Sequence, residues 1–525
     1  MERRTFLRTA LGAGLTVASS TWSGAQADDA IVATKWGQLR GRREDGAYSF
    51  KGIAYAASPT GMARFQPPQP PHPWSGIRDA LEFGPKPPQA NYPPVVAALI
   101  PPELTPMGDD CLTLNVWTPQ LHSGGLPVMV WVPGGPYEYH ATSASPWYDG
   151  RAFARDGVVL VSINYRIGAA GFLYLHDGIA NLGLLDQVAA LEWVRDNIAE
   201  FGGDPAKVTI FGESAGGLAV GTLLAVPKAR GLFSRAIVES GGGQHVSSPA
   251  TAERIGRRFA DLAGVSFDRG AIAALSSARI IDAQNALRGE LQGNPDPALW
   301  GEVLGTNLPW QPTVDGEVVP ELPLEAVRKG ASKDVTLLAG SNTEEWRLFL
   351  VPGNVIDQIP LAAVVATLTG LGLDPNSALK AYQDLRPGAS PGDLFAAVMT
   401  DWYWRIPALR LAQAHAAQGG PGGTFAYEFA WRSPQFGGPL GACHAIEIPF
   451  VFDTLGPSSQ PLLGEAPPQE LARTMHRAWI DFAVTGHPGW EPFEARRRMA
   501  MRFDTTSGAV GDLLIAEEAI WGSAR

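Results

Sequence analysis

The stretch Gly212-Glu213-Ser214-Ala215-Gly216-Gly217 has the pattern G-x-S-x-G, following an apolar V-T-I-F and preceding the helix-like A-V-G-T-L-L-A. A serine hydroxyl is a poor nucleophile at neutral pH and needs a neighbouring base, itself oriented by a third group. Glycines flanking Ser214 permit the sharp strand-to-helix turn that lifts a hydroxyl into the open. A helix beginning at Ala215 aims its positive end at the same spot. The chemistry this points to is covalent catalysis at Ser214.

In such a site the partners follow in the order serine, acid, histidine. Downstream of Ser214 stand His245, His415, His444, His476 and His487. His415 and His476 read as helix residues, and His487 falls in a helix-terminating T-G-H-P-G turn. His245 follows a strand and a glycine triplet, which makes it a pocket candidate. His444, in G-A-C-H-A-I-E-I-P-F, follows a strand-like segment at 424–431 and a Gly-rich loop, the right place for a catalytic base. For the acid, V-T-L-L-A-G-S-N-T-E-E-W offers strand, glycine and loop before Glu344 and Glu345. Chemistry alone leaves the choice between these two carboxylates open. A third element is V-M-V-W-V-P-G-G-P-Y-E-Y-H at 128–140. Gly134 and Gly135 let backbone N–H groups approach a reacting atom, whereas Pro136 has no N–H to offer. Tyr137 and His140 are side chains that can substitute for a missing donor.

Positioning these residues requires a scaffold. Short, nearly continuous apolar runs at 128–132, 158–163 and 208–211 have the length of buried parallel strands, with further candidates at 236–239, 335–339 and 425–429. Between the second and third, Leu184, Val188, Leu191, Val194 and Ile198 recur at helical spacing and predict one apolar face. Residues 471–484 predict another helix. Strands alternating with helices mean an α/β fold, a mostly parallel sheet covered on both faces, with inserted helical regions. The segments S-F-K-G-I-A-Y-A and R-F-Q-P-P-Q-P-P-H-P-W fit antiparallel edge strands and an ordered loop, and 90–107 a surface loop. Trp300, Trp310 and the W-Y-W run at 402–404 are either pocket lining or core packing.

No linker divides the chain, so residues 28–525 read as one domain. Residues 1–27 carry Arg3-Arg4 before a short, mildly apolar stretch and a small-x-small site at Ala25-Gln26-Ala27, the pattern of a twin-arginine export signal. Export to the periplasm or medium is the expectation, with no membrane span in the mature chain. The formal net charge of −11 sets the surface against phosphate backbones and argues against nucleic-acid partners. Cys111 and Cys443 are the only cysteines. They predict two free thiols, and neither has the spacing of a zinc site. No metal or cofactor is implied, and oligomeric state is not readable.

F-G-G-D-P-A-K-V-T-I-F-G-E-S-A-G-G and D-D-C-L-T-L-N-V-W-T-P resemble the two signatures of the type-B carboxylesterase family, which includes the cholinesterases. Similarity extends through S-I-N-Y-R-I-G-A-A-G-F-L, N-L-G-L-L-D-Q and A-W-I-D-F-A-V-T-G-H-P, nearly the whole mature chain. The resemblance implies the α/β-hydrolase fold and a Ser214–Glu345–His444 triad cleaving a small-molecule carboxylic ester through an acyl-enzyme. It chooses Glu345 because S-N-T-E-E-W aligns with the family's N-x-D-E-G. It also implies an oxyanion hole from the N–H groups of Gly135, residue 136 and Ala215, with Gly134 adjacent. Here the chain departs: the family's Gly-Gly-Gly or Gly-Gly-Ala is Gly134-Gly135-Pro136, so the middle donor is gone. The loop cysteine that pairs in the family with the position of Cys111 is absent, as is the tryptophan of the choline site. Trp346 replaces the glycine usual after the acid and narrows the pocket, where Glu213 is a further candidate. The expectation is a serine ester hydrolase with an altered oxyanion loop. The alternatives are an amide or carbamate hydrolase, or a binding protein that has left hydrolysis.

Overall fold

Alternating apolar strands and helices build one large sheet. The computed structural model describes residues 29–140 and 142–522, and its thirteen strands all join this sheet. The export-signal reading of residues 1–27 lies outside the described residues. Seven neighbouring strands run parallel in the order Val159–Ile163, Leu126–Val132, Gly203–Glu213, Arg235–Glu239, Thr336–Asn342, Thr424–Phe429 and Ala500–Phe503. Antiparallel strands flank them: Thr113–Thr118, Ala47–Ala54, Gln38–Glu44 and Asp29–Ala33 on one side, Gly508–Val510 on the other.

The two-residue period of a strand divides this sheet between two cores. Val128, Val130 and Val132 point into one, Met129 and Trp131 into the other. Ala215–Leu223 and Leu182–Asn197 cover the first face, and Gln469–Thr485 covers the second. Burial on both faces is why the central strands are nearly continuous apolar runs.

Two expectations need correction. Ala47–Ala54 is not an edge strand, because it pairs with a neighbour on each side. Its alternation reflects a partly exposed face of an antiparallel strand, not an unpaired edge. The proline-rich segment after it contains only a 3₁₀ turn, Gly61–Phe65, and loop. Along Leu182–Asn197 the expected face of Leu184, Val188, Leu191, Val194 and Ile198 is buried, but burial extends beyond it to Asp186, Gln187 and Asn197, leaving Glu192, Arg195 and Asp196 exposed. Asp186 is tolerated there because Arg166 meets it at 2.6 Å with both side chains buried. Cys111 and Cys443 are free and buried. Among the described residues no helix is long and apolar enough to cross a membrane.

Parallel strands deliver their carboxyl ends to one edge of the sheet. Glu213, Glu239, Asn342 and Phe429 end four adjacent strands there, and the site is assembled just beyond them.

Candidate active site

Ser214 occupies the turn between Gly203–Glu213 and Ala215–Leu223, with φ 57° and ψ −126°. This conformation is strained for a residue with a side chain, at a cost of about 1–3 kcal/mol. The surroundings hold it in place: its N–H donates to the Glu239 carbonyl at 3.1 Å and its carbonyl accepts from Leu218 at 2.8 Å. The helix presses so closely on the neighbouring strand that a Cβ at Gly216 would lie 2.1 Å from the Val132 carbonyl.

His444 and Glu345 meet through their loops as well as their side chains. The His444 N–H donates to the Glu345 carbonyl at 3.1 Å, and Nδ1 donates to Glu345 Oε2 at 2.7 Å. Glu345 Oε1 accepts from Ser240 Oγ at 2.6 Å and from the Asn342 N–H at 2.7 Å. Of the two adjacent carboxylates, Glu345 is therefore the one on the imidazole. Glu344 turns outward to Arg347 and Arg432 and accepts from the Ala442 N–H.

Ser214 and His444 line one cavity of about 160 Å³. Among the described residues the Ser214 hydroxyl makes no hydrogen bond. His444 Nε2 instead lies 3.2 Å from Glu213 Oε1, at an angle that leaves that oxygen without a hydrogen bond. Burial, then repulsion from Glu447, Glu345 and Glu239, holds the Glu213 carboxyl well above the usual carboxylate range. Burial, then Glu345 and Glu239, does the same to Glu447. Both shifts have the same physical cause: burial disfavours the charged form, and neighbouring carboxylates repel one another. Asn342 Nδ2 links the group by donating to Glu447 Oε2 at 2.6 Å and to the Cys443 carbonyl at 2.9 Å.

The loop after Leu126–Val132 lies against this turn. A Cβ on Gly134 would stand 2.6 Å from the Glu213 carbonyl and 3.3 Å from Ser214 Cβ. Among the described residues neither the Gly134 nor the Gly135 N–H has an acceptor, and the Ala215 N–H, first in its helix, has no intrahelical one. Pro136 lines the cavity. Tyr137 does not: its N–H is committed to the Gly135 carbonyl at 2.7 Å, and its ring is buried against Phe172. His140 packs near Tyr92, with Nδ1 3.7 Å from Glu103, and is outside the cavity lining. Burial, then Lys86, pushes it down to about 4. Neither side chain replaces the donor that Pro136 lacks.

The remaining candidates separate. Trp346, Phe349, Tyr403 and Trp404 line the cavity. Trp404 comes from a π-helical turn, Asp401–Arg405, a local bulge of the kind found at functional sites. Trp402 lies against Trp521 instead and donates to the Gly305 carbonyl at 2.8 Å, while Trp300 and Trp310 are core residues. His245 is buried beside Tyr403, outside the lining of the cavity that holds Ser214. His415 bonds Thr424 and Ser332, His476 bonds the Val451 carbonyl, and His487 is an exposed turn residue. Sequence reasoning missed Ser240, Asn342, Glu447 and Arg288. Glu447, three residues beyond His444, had a spacing signal. Arg288, distant on the helix Ser277–Gly293, had none. Among the described residues no cluster of His, Cys, Asp and Glu is arranged to hold a metal ion.

Known proteins carry the same architecture. Residues 28–518 match the sequence model of the Carboxylesterase family. The chain is 37% identical to the para-nitrobenzyl esterase of Bacillus subtilis over 474 residues, 88% of this chain and 91% of that one. It is 34% identical to the fumonisin B1 esterase of Sphingopyxis macrogoltabida over 528 residues, 92% of this chain and 88% of that one. The crystal structure of a Geobacillus stearothermophilus carboxylesterase matches with a TM-score of 0.81 and 35% identity, covering 94% of this chain and 99% of that one. A match of this extent, on a mixed sheet flanked by helices, shows the fold and the reaction class together. The chain belongs to the carboxylesterase family: it is a carboxylic ester hydrolase with the α/β-hydrolase fold.

Proposed function

We propose that the chain cleaves a small carboxylic ester through an acyl-enzyme on Ser214. His444 is the general base, Glu345 its orienting acid, and the Gly134, Gly135 and Ala215 N–H groups stabilise the oxyanion. The observation that carries this reading is the 2.7 Å bond from His444 Nδ1 to Glu345. With the Nδ1 proton committed there, Nε2 is the basic nitrogen, and it belongs to a residue that lines the same cavity as Ser214.

In the first half-reaction Nε2 takes the hydroxyl proton as Ser214 Oγ attacks the carbonyl carbon. The resulting imidazolium is stabilised by Glu345 and then protonates the departing alcohol. Water attacks the acyl-enzyme by the same route and releases the acid. A hydrogen bond between Ser214 and His444 is required at the moment of attack. Rotation of the serine hydroxyl and a small swing of the imidazole away from Glu213 bring it about, as catalytic bonds commonly tighten once substrate is bound.

Pro136 sets the limit of the site. One oxyanion donor is worth about 10²–10³ in turnover, so a hole without the residue-136 N–H predicts a slow enzyme on simple esters. Arg3-Arg4 and Ala25-Gln26-Ala27 support export of the mature chain before it acts. The test is turnover of 4-nitrophenyl butyrate by purified protein. Ser214→Ala and His444→Ala should each lower kcat by at least about 10⁴-fold. Equal turnover in wild type and Ser214→Ala overturns the reading.

A further inference from the structure

The cavity wall holds one cation that the hydrolysis of an uncharged ester does not call for. Arg288, on the helix Ser277–Gly293, lines the cavity together with Ser214 and His444. Its side chain is only 14% exposed, and it forms an ion pair with Glu138, which is 3% exposed. Glu138 belongs to the same loop as Gly134 and Pro136.

Glu138 does not exhaust the guanidinium. Nε is buried without a hydrogen-bond partner, and Nη1 has only the Asn307 carbonyl, at 3.5 Å. The planar group lies 5.7 Å from the centre of the Tyr139 ring, and Tyr92 and Tyr139 line the cavity beside it. Burial pushes Arg288 down to about 10, with Tyr403 and Tyr92 acting against it. A wholly apolar substrate would expel water from this wall and leave the guanidinium worse satisfied. A carboxylate arriving there would meet it as a charge-assisted pair. The aromatic wall of Trp346, Phe349 and Trp404 meanwhile suits an apolar chain.

We propose that Arg288 is a substrate anchor and that the preferred substrates are esters bearing a free carboxylate, held by the guanidinium while Ser214 attacks the ester carbonyl. This rests on Ser214 as the nucleophile. The carboxylate belongs to either the acyl or the alcohol half of the ester, and each source has its own comparison.

For the acyl side, kcat/KM is measured on 4-nitrophenyl hydrogen adipate and on its methyl ester. For the alcohol side, the pair is 4-carboxyphenyl butyrate and its methyl ester. Wild type should favour the acid over the methyl ester by at least about tenfold in one pair. That preference should collapse to near one in Arg288→Gln and persist in part in Arg288→Lys. Because Arg288→Gln strands a buried Glu138, the ratio is also read in the folded double variant Glu138→Gln/Arg288→Gln, where it should likewise be near one. Ser214-dependent hydrolysis with no preference for either acid overturns the anchor and leaves the esterase reading intact. A preference retained in the double variant also overturns it. No hydrolysis of any of the four esters overturns the esterase reading and the anchor with it.

Discussion

The indole of Trp404 lies against the imidazole of His444, with ring centroids 4.4 Å apart and planes tilted by 34°. In the proposed mechanism His444 accepts the serine proton and becomes a cation facing an aromatic ring, an arrangement worth about 0.5–2 kcal/mol. Trp404→Leu should therefore lower kcat about tenfold on 4-nitrophenyl butyrate, while Trp404→Phe stays within about threefold of wild type. Steady-state kinetics decide it, and equal losses in both variants would reduce Trp404 to a space-filling role.

Pro136 is the second point of pressure. Pro136→Gly supplies an N–H at position 136, and kcat on a simple aryl ester should rise by about tenfold or more. Unchanged or lower turnover would mean that the three remaining N–H groups already complete the hole.

In the proposed mechanism Ser240 acts only through Glu345, to which it donates at 2.6 Å. Removing a hydrogen bond to a buried charge costs about 1.5–3 kcal/mol. Ser240→Ala should lower kcat by about tenfold or more with little change in KM. A rise in KM alone would show that Ser240 acts on substrate binding and not on the orienting acid.

Glu239 predicts a pH effect on stability. Its carboxyl is buried and pushed up to about 8, with Oε1 accepting from Trp479 at 2.7 Å and Oε2 unpartnered. The folded state therefore holds a proton that the unfolded chain, with an ordinary carboxylate, has lost. The resulting stability is complete below the unfolded value and is lost as pH rises through about 8, roughly a few kcal/mol in all. Glu239→Gln keeps an acceptor for Trp479 but no ionisable group. Its melting temperature should match wild type near pH 5 and exceed it by several degrees at pH 9. Parallel melting curves at both pH values would contradict this.

The sequence carried the framework of this site because strand, tight turn and helix are local signals. V-T-I-F followed by G-E-S-A-G-G marks the strand-to-helix turn at Ser214, and T-L-L-A-G-S-N and T-F-A-Y-E-F mark the strands before Glu345 and His444. The apolar face of Leu182–Asn197 was legible from its spacing, whereas the burial of Asp186 was not, because its partner Arg166 is long-range. Tyr137 and His140 looked available as donors because a loop sequence does not say which way its side chains face. Arg288 and Ser240 reach the site through tertiary packing alone, and no spacing in the chain announces that.

The central claim is that Ser214 is a nucleophile activated by His444, and a mechanism-based label tests it most directly. Purified protein is treated with a fluorophosphonate and the adduct is mapped by peptide mass spectrometry. The account predicts stoichiometric phosphonylation of Ser214 in wild type and its loss in His444→Ala. No adduct on Ser214, or labelling that is undiminished in His444→Ala, would contradict it.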